Sequence, residues 1–379
     1  MISSSAASSS LPPAPVASSS VAAAPSPGPA LEALRASFAP VPGYLNAATL
    51  GLPPAPVVAA LRGALDDWQA GRSDAAAFDE DVRRARAAYA RIAGAAVSDV
   101  AVGSQASVLV GTVASSLPDG AEVLTVHGDF ASVVFPFLVH ADRGVTVRQV
   151  PLEALATEVR PGTSVVAYSL VQSADGRVAD ATAVREAARA VGARTICDVT
   201  QAAGWLPLDA GADDVTVCSA YKWLCSPRGT AFLTVRPEAR AWLRPTAAGW
   251  YAGQDVWSST YGPDMTLASD ARRFDVSPAW HAWVGTAVAL ELLAAVGTEE
   301  VRAWDVALAD GLRARLGLAP AGSAIVSLPD PDGARRRALD LAGCAVAGRA
   351  GLVRMSFHVW NDEADVDRAA AALQAAGLG

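Results

Sequence analysis

Between Val100 and Val235 short apolar runs alternate with longer helix-like stretches, a pattern that restricts the chain to a sheet flanked by helices. Val100–Val102 reads as a strand running into an apolar helical stretch near Ser107–Leu117. Thr195–Cys197, Val215–Cys218 and Thr230–Val235 are three further runs, each the length of a buried strand and bounded by turn residues. The expected class is α/β, and 379 residues suffice for two domains with room for a third.

Composition removes several function classes. With 38 acids against 30 bases the net charge is −8. No basic stripe is present, so phosphate-driven binding to nucleic acid has no footing. The most apolar stretches, Ser107–Leu117 and Trp283–Leu290, fall short of the ~20 residues that span a bilayer, and no membrane partner is expected. Cys197, Cys218, Cys225 and Cys344 fit no zinc spacing and read as reduced thiols of a cytoplasmic protein. His127, His140, His281 and His358 form no i, i+4 pair, so no metal site is expected. The first thirty residues carry no charged side chain and consist almost wholly of Ser, Ala, Pro and Val. They predict a disordered tail, drawn here as residues 1–38, without the basic and apolar regions of a secretory signal.

Of the 30 basic residues only Lys222 is a lysine; the rest are arginines. Arginine stays charged at any accessible pH, whereas a primary amine can lose its proton and attack a carbonyl. Lys222 follows the Val215–Cys218 run, and Asp198 ends the Thr195–Cys197 run. Ligands of open α/β sheets bind beyond the carboxyl ends of strands, so the two can converge on one crevice. An amine for a Schiff base and an acid for a pyridine nitrogen are what pyridoxal phosphate chemistry requires.

Five motifs then recur in the order of a known family: YLNAATLGLPP at Tyr44–Pro54, GSQAS at Gly103–Ser107, DFASVVFP at Asp129–Pro136, the Asp198–Leu224 segment with DVTQAAGWLPL and SAYKWL, and VRMSFHVWNDEADVD at Val353–Asp367. The chain resembles the fold type I, aminotransferase class V pyridoxal-phosphate enzymes, among them cysteine desulfurases, kynureninases and the carbon–sulfur lyases of ergothioneine synthesis. The resemblance runs from Tyr44 to the C-terminus. It implies a large domain at 39–270 around a mixed, mostly parallel seven-stranded sheet. An interdomain helix and a small α+β domain follow at 271–379.

The resemblance also implies roles. Lys222 carries pyridoxal 5'-phosphate and Asp198 holds its ring nitrogen. Gln201 reaches the phenolic oxygen or the Schiff-base nitrogen, and Ser173 stands where desulfurases carry an asparagine. Ala106, Ser107, Ser219 and Tyr221 take the phosphate, with the amides of Ala106 and Ser107 opening a helix. Phe130 covers the ring, although a phenylalanine beside valines reads on its own as core. Ser277 reaches the phosphate of a second subunit, which makes the expected assembly a homodimer with shared sites. Arg354, whose strand alternation sets it opposite Val353 and Met355, takes the carboxylate of an α-amino acid, with Asn46 and Ala47 nearby. Trp250, Tyr251 and Trp257 either line the substrate mouth or pack a dimer interface.

Removal of the α-proton by the Lys222 amine opens three outcomes: β-elimination, transamination and racemisation. Desulfuration needs a mobile cysteine. The only candidate, Cys344, sits on an apolar run that reads as a strand and as a buried structural thiol. The expected activity is β-elimination of the carbon–sulfur lyase type, with transamination as the alternative. Desulfuration and a non-catalytic interaction protein rank below both.

Overall fold

The computed structural model describes residues 25–377. The tail expected at residues 1–24 therefore lies outside the described residues, but its expected extension to residue 38 needs correction. Helix α1 (Pro29–Ala36) begins with proline at its first turn and buries Leu31 and Leu34, three residues apart on one face. Arg35 anchors it by donating to the carbonyls of Val359 and Asn361 at 2.6 and 2.7 Å, with its guanidinium 3.8 Å from the centre of the Trp304 ring. Two leucines and one arginine outweigh the Ser/Ala/Pro bias that precedes them.

Helices α2 (Ala55–Gln69) and α3 (Phe78–Ala93) precede the main sheet. Its strands are β1 (Val100–Gly103), β2 (Glu122–Val126), β3 (Thr146–Val150), β4 (Thr163–Ser169), β5 (Arg194–Asp198), β6 (Val215–Ser219) and β7 (Ala231–Val235). They lie in the order β1-β7-β6-β5-β4-β2-β3, all parallel to their neighbours except β7, which is antiparallel to both β1 and β6. The expected mixed, mostly parallel seven-stranded sheet is present, and β7 starts one residue later than its apolar run.

Alternation along the strands feeds two cores. Val100, Val102, Cys218 and Phe232 pack toward α3 and α7 (Trp280–Val296). Ala101, Val217 and Leu233 pack toward α4 (Ala106–Ser116) and α5 (Ala131–Leu138). Burial on both faces explains why these strands read as continuous apolar runs. Helix α6 (Ala181–Val191) links β4 to β5 as a crossover.

Helix α8 (Thr298–Arg315) leads into a three-stranded antiparallel sheet, ordered β8-β10-β9, formed by β8 (Ile325–Pro329), β9 (Ala347–Arg349) and β10 (Leu352–Ser356). Helices α9 (Ala334–Leu341) and α10 (Glu363–Ala375) complete this part. The N-terminal loop belongs to it by hydrogen bonding: Leu45 N donates to Ala345 O at 3.0 Å, and Ser356 N to Leu45 O at 2.9 Å. Cys344 also differs from its expected placement, since it lies in the turn between α9 and β9 rather than on a strand. Gly343, at φ +77°, ends the helix there and the chain has not yet become extended. Among the described residues no single helix is long and apolar enough to cross a membrane.

Candidate active site

A pocket opens beyond the carboxyl ends of β4, β5 and β6, lined by Ser104–Ser107, Phe130, Ser132, Ser169, Val171, Ser173, Asp198, Thr200, Gln201, Ser219, Tyr221, Lys222, Arg228 and Gly229. Lys222 sits in the tight turn after β6. Ala220 N donates to Thr230 O, Ser226 N to Ala220 O, and Cys225 N to Lys222 O, with Cys225 in the left-handed region at φ +53°. The lysine is 5% exposed. Burial pulls its pKa down to about 8 against the opposing pull of Asp198, and Arg354 and Arg349 add to the lowering. Its Nζ lies 5.2 Å from the Phe130 ring centre and 5.7 Å from that of Tyr221.

Asp198, the last residue of β5, is buried and accepts a 2.8 Å hydrogen bond from Thr200 N. Burial raises its pKa, while Thr200 and the Lys222 charge oppose that rise. Thr200 Oγ1 also accepts from Ser219 N at 2.9 Å, tying the ends of β5 and β6 together. Ser219 Oγ in turn accepts from Ala106 N, at the start of α4, at 3.1 Å. The first turn of α4 thus faces the pocket with Ser104, Gln105 and Ser107, the positive end of a helix dipole.

Phe130 is 42% exposed, so it is not core. It occupies the N-cap of α5 and is held by Asp129, whose carboxylate accepts from Phe130 N at 2.7 Å and from Ser169 N and Oγ at 2.9 and 2.5 Å. Gln201 lines the pocket, but the protein occupies its amide. Nε2 donates to Ala48 O at 3.0 Å and Ser173 Oγ at 3.1 Å, and Oε1 accepts from Trp223 Nε1 at 2.8 Å. Ser173 links Gln201 to Arg354, which donates to the Ser173 carbonyl and, at 3.2 Å, to its hydroxyl.

Arg354 is 1% exposed, which removes the alternative of a solvated surface arginine. Its Nη2 donates to Thr49 Oγ1 at 2.8 Å, and Arg349 approaches the same hydroxyl at 3.4 Å. Burial and the Arg349 charge pull the Arg354 pKa down to about 10. Its Nε is buried without a partner among the described residues.

Several expected residues lie elsewhere. Asn46 and Ala47 are not in the pocket lining, because their backbone follows β10; Ala47 is fully buried, and the loop meets the site through Ala48 and Thr49 instead. Ser277 is exposed on the coil before α7 and also lies outside the lining. Its neighbour Asp275 pins that coil, accepting from Arg86 at 2.6 Å and from Val102 N at 2.7 Å. In the aromatic cluster, Tyr251 and Trp257 both donate to the carboxylate of Asp79 on α3, at 2.7 and 2.8 Å.

Asp129, Thr200, Arg228 and Thr49 were not picked out from sequence. Only Asp129 carried a local signal, an acid directly before the helical stretch. Among the described residues no group of three His, Cys, Asp or Glu side chains is placed to hold a metal ion.

Comparison with known proteins agrees with this architecture. The chain is 30% identical over 233 residues to an uncharacterized aminotransferase, YcbU, of Bacillus subtilis (strain 168), covering 59% of this chain and 61% of that protein, just under two thirds of its length. It is 29% identical over 345 residues to isopenicillin N epimerase of Amycolatopsis lactamdurans (76% and 83% covered). A probable hercynylcysteine sulfoxide lyase of Mycobacterium tuberculosis (strain CDC 1551 / Oshkosh) is 32% identical over 207 residues (48% and 49% covered). The fold matches that of the cystine C-S lyase C-DES, with a TM-score of 0.79 at 22% identity over 88% of this chain and 97% of that one. The sequence profile of the aminotransferase class-V family matches residues 44–339, and the chain belongs to that family.

Proposed function

We propose that the chain binds pyridoxal 5'-phosphate at Lys222 and catalyses β-elimination from an α-amino acid, as a carbon–sulfur lyase. The observation that carries this reading is Lys222 itself. The only lysine of the chain is buried, lines the same pocket as Asp198 and interacts with its charge. Taking an amine out of water is costly unless a ligand completes it.

The residues present fit the cofactor. The α4 N-terminus with Ser107, Ser219 and Tyr221 would hold the phosphate, Phe130 the ring face and Asp198 the ring nitrogen. When bound, pyridoxal phosphate supplies an aldehyde for the amine and an electron sink for the bond broken at Cα. The chain's own residues do the rest. Arg354 lies just behind the pocket lining, bonded to its Ser173, and would bind the substrate carboxylate once its guanidinium is uncovered. A pKa of about 8 leaves part of the Lys222 amine unprotonated at neutral pH, ready to take a proton at Nζ. Ser277 would reach the neighbouring site of a homodimer, and four free thiols suit a reducing cytoplasm.

Elimination is favoured over desulfuration because the described cysteines are all buried. Cys344, the one candidate nucleophile, is pushed up to about 11 by burial. Sulfur therefore leaves with the substrate fragment rather than on the protein. The test supplies the purified protein with pyridoxal phosphate and with cysteine, cystine or an S-substituted cysteine sulfoxide. Pyruvate released in step with the sulfur fragment is the expected result. Accumulation of aminated cofactor without pyruvate overturns the lyase reading in favour of transamination.

A further inference from the structure

His358 is fully buried two residues beyond β10, the strand that carries Arg354. Its Nδ1 is 2.7 Å from Oδ2 of Asp305, a fully buried residue of α8. Its Nε2 is 2.9 Å from the carbonyl oxygen of Trp223, the residue directly after Lys222. A backbone carbonyl only accepts, so Nε2 must carry the proton on that side. The carboxylate then holds the ring in the one orientation that delivers it, the role carboxylates play behind functional imidazoles. Burial alone would lower the imidazole's pKa, but Asp305 and Cys225 outweigh it and raise it to about 10. The pair thus stays joined across neutral pH.

This contact is specific to the lysine turn. Trp223 also donates its indole N–H to Gln201, and its ring meets His358 edge-on at 5.3 Å. Carbonyl, indole and imidazole together fix the residue next to Lys222. A buried ion pair is weak support for stability by itself, and hydrophobic replacements often serve as well. Its place behind the only lysine calls for a different explanation.

We infer that His358, oriented by Asp305, is a positioning residue that holds the Lys222 turn in register with the Arg354 strand. The inference rests on the assignment of Lys222 as the reactive amine but not on the reaction that follows. One short segment, β10 with the two residues after it, then carries both the carboxylate-binding guanidinium and the brace on the amine, so four residues of chain set the distance between the two.

The test reads Lys222 directly, without a substrate. Reductive methylation with 13C-formaldehyde of the full chain, freed of cofactor, labels this one lysine and the N-terminal amine, and Lys222→Met assigns the signals. Wild type, His358→Gln and His358→Phe are titrated by NMR, with thermal melts alongside. Both substitutions remove the same charge, but only His358→Gln keeps a donor for the Trp223 carbonyl. The expected result is that His358→Phe raises the Lys222 midpoint by about one pH unit toward that of an ordinary lysine, while His358→Gln stays within roughly 0.3 unit of wild type. With cofactor restored, His358→Phe is expected to weaken its binding about tenfold, read by its visible absorbance, and His358→Gln less than about threefold. Should the His358→Phe variant not fold, the double variant Asp305→Leu/His358→Phe removes the pair together and replaces it. An unmoved Lys222 midpoint in a folded variant lacking the donor, or equal displacement by the two single substitutions, overturns the inference. A failed lyase assay leaves these outcomes unaffected.

Discussion

Gly51 lies directly against the backbone of Lys222. Its amide donates to the Tyr221 carbonyl at 2.9 Å, and a Cβ built at position 51 would fall 1.8 Å from the Lys222 carbonyl oxygen. The neighbour in question is main chain and cannot rotate away, so the N-terminal loop and the lysine turn fit only with glycine here.

Gly51→Ala is therefore expected to cost about 1–3 kcal/mol of stability by overpacking and to reduce cofactor retention. Gly63→Ala on α2 is the control. Nothing lies within 4 Å of its would-be Cβ, and the change is expected to stabilise by about 0.5–1 kcal/mol. Chemical denaturation of both variants checks the contrast.

The lowered pKa of Lys222 makes a linkage prediction. Folding lowers this amine from 10.5 to about 8, so the unfolded chain holds the extra proton between those values and stability from this group rises with pH across that window. Below about pH 8 the full cost is present. Lys222→Met is expected to stabilise the cofactor-free protein by about 3 kcal/mol at pH 7, and the gain should vanish above about pH 10.5. Denaturation at pH 7 and at high pH gives both numbers. The same variant is expected to be inactive.

Arg354→Lys keeps the charge and loses the fork that spans Ser173 and Thr49. KM for the amino acid should rise about 10- to 100-fold, the scale of a lost charge-assisted hydrogen bond, with a smaller change in kcat. Steady-state kinetics on whichever substrate releases pyruvate provide the check.

Asp275→Ala removes one partner of a buried ion pair and leaves Arg86 uncompensated. A loss of about 3–5 kcal/mol is expected. Because Asp275 also holds Val102 N, the coil bearing Ser277 should become protease-sensitive, which limited digestion can follow.

Cys344→Ala is expected to leave turnover within about twofold of wild type, since the thiol is buried and held protonated. Abolished sulfur release would mean that the cysteine attacks substrate and that the elimination reading is wrong.

What the sequence revealed followed strand ends. Asp198 and Lys222 were legible because a buried strand and the residue that ends it are local features, and the pocket lies where parallel strands stop. Arg354 was legible in another way, from the motif of the resembled family and the alternation of the strand in whose middle it lies. The links among these residues were not, since Gln201 meets Ser173 across 28 positions and Arg354 meets Thr49 across 305. No periodicity encodes such pairs. Helix α1 was hidden behind the composition of its neighbours, and Cys344 was misplaced because an apolar run does not show where a helix must first unwind.

The pairing of the N-terminal loop with the last strand has a consequence for biogenesis. Ala48 N is held by the Ser356 hydroxyl, 308 residues downstream. At typical ribosomal rates that partner emerges roughly 15–60 s later. Until then the buried loop residues Leu45 and Ala47 lack the cover of β10, and the nascent chain must keep this edge from other chains. Maturation of the site therefore waits until β10 has been made, and deletions that remove β10 should leave a polypeptide dependent on chaperones rather than a smaller working enzyme.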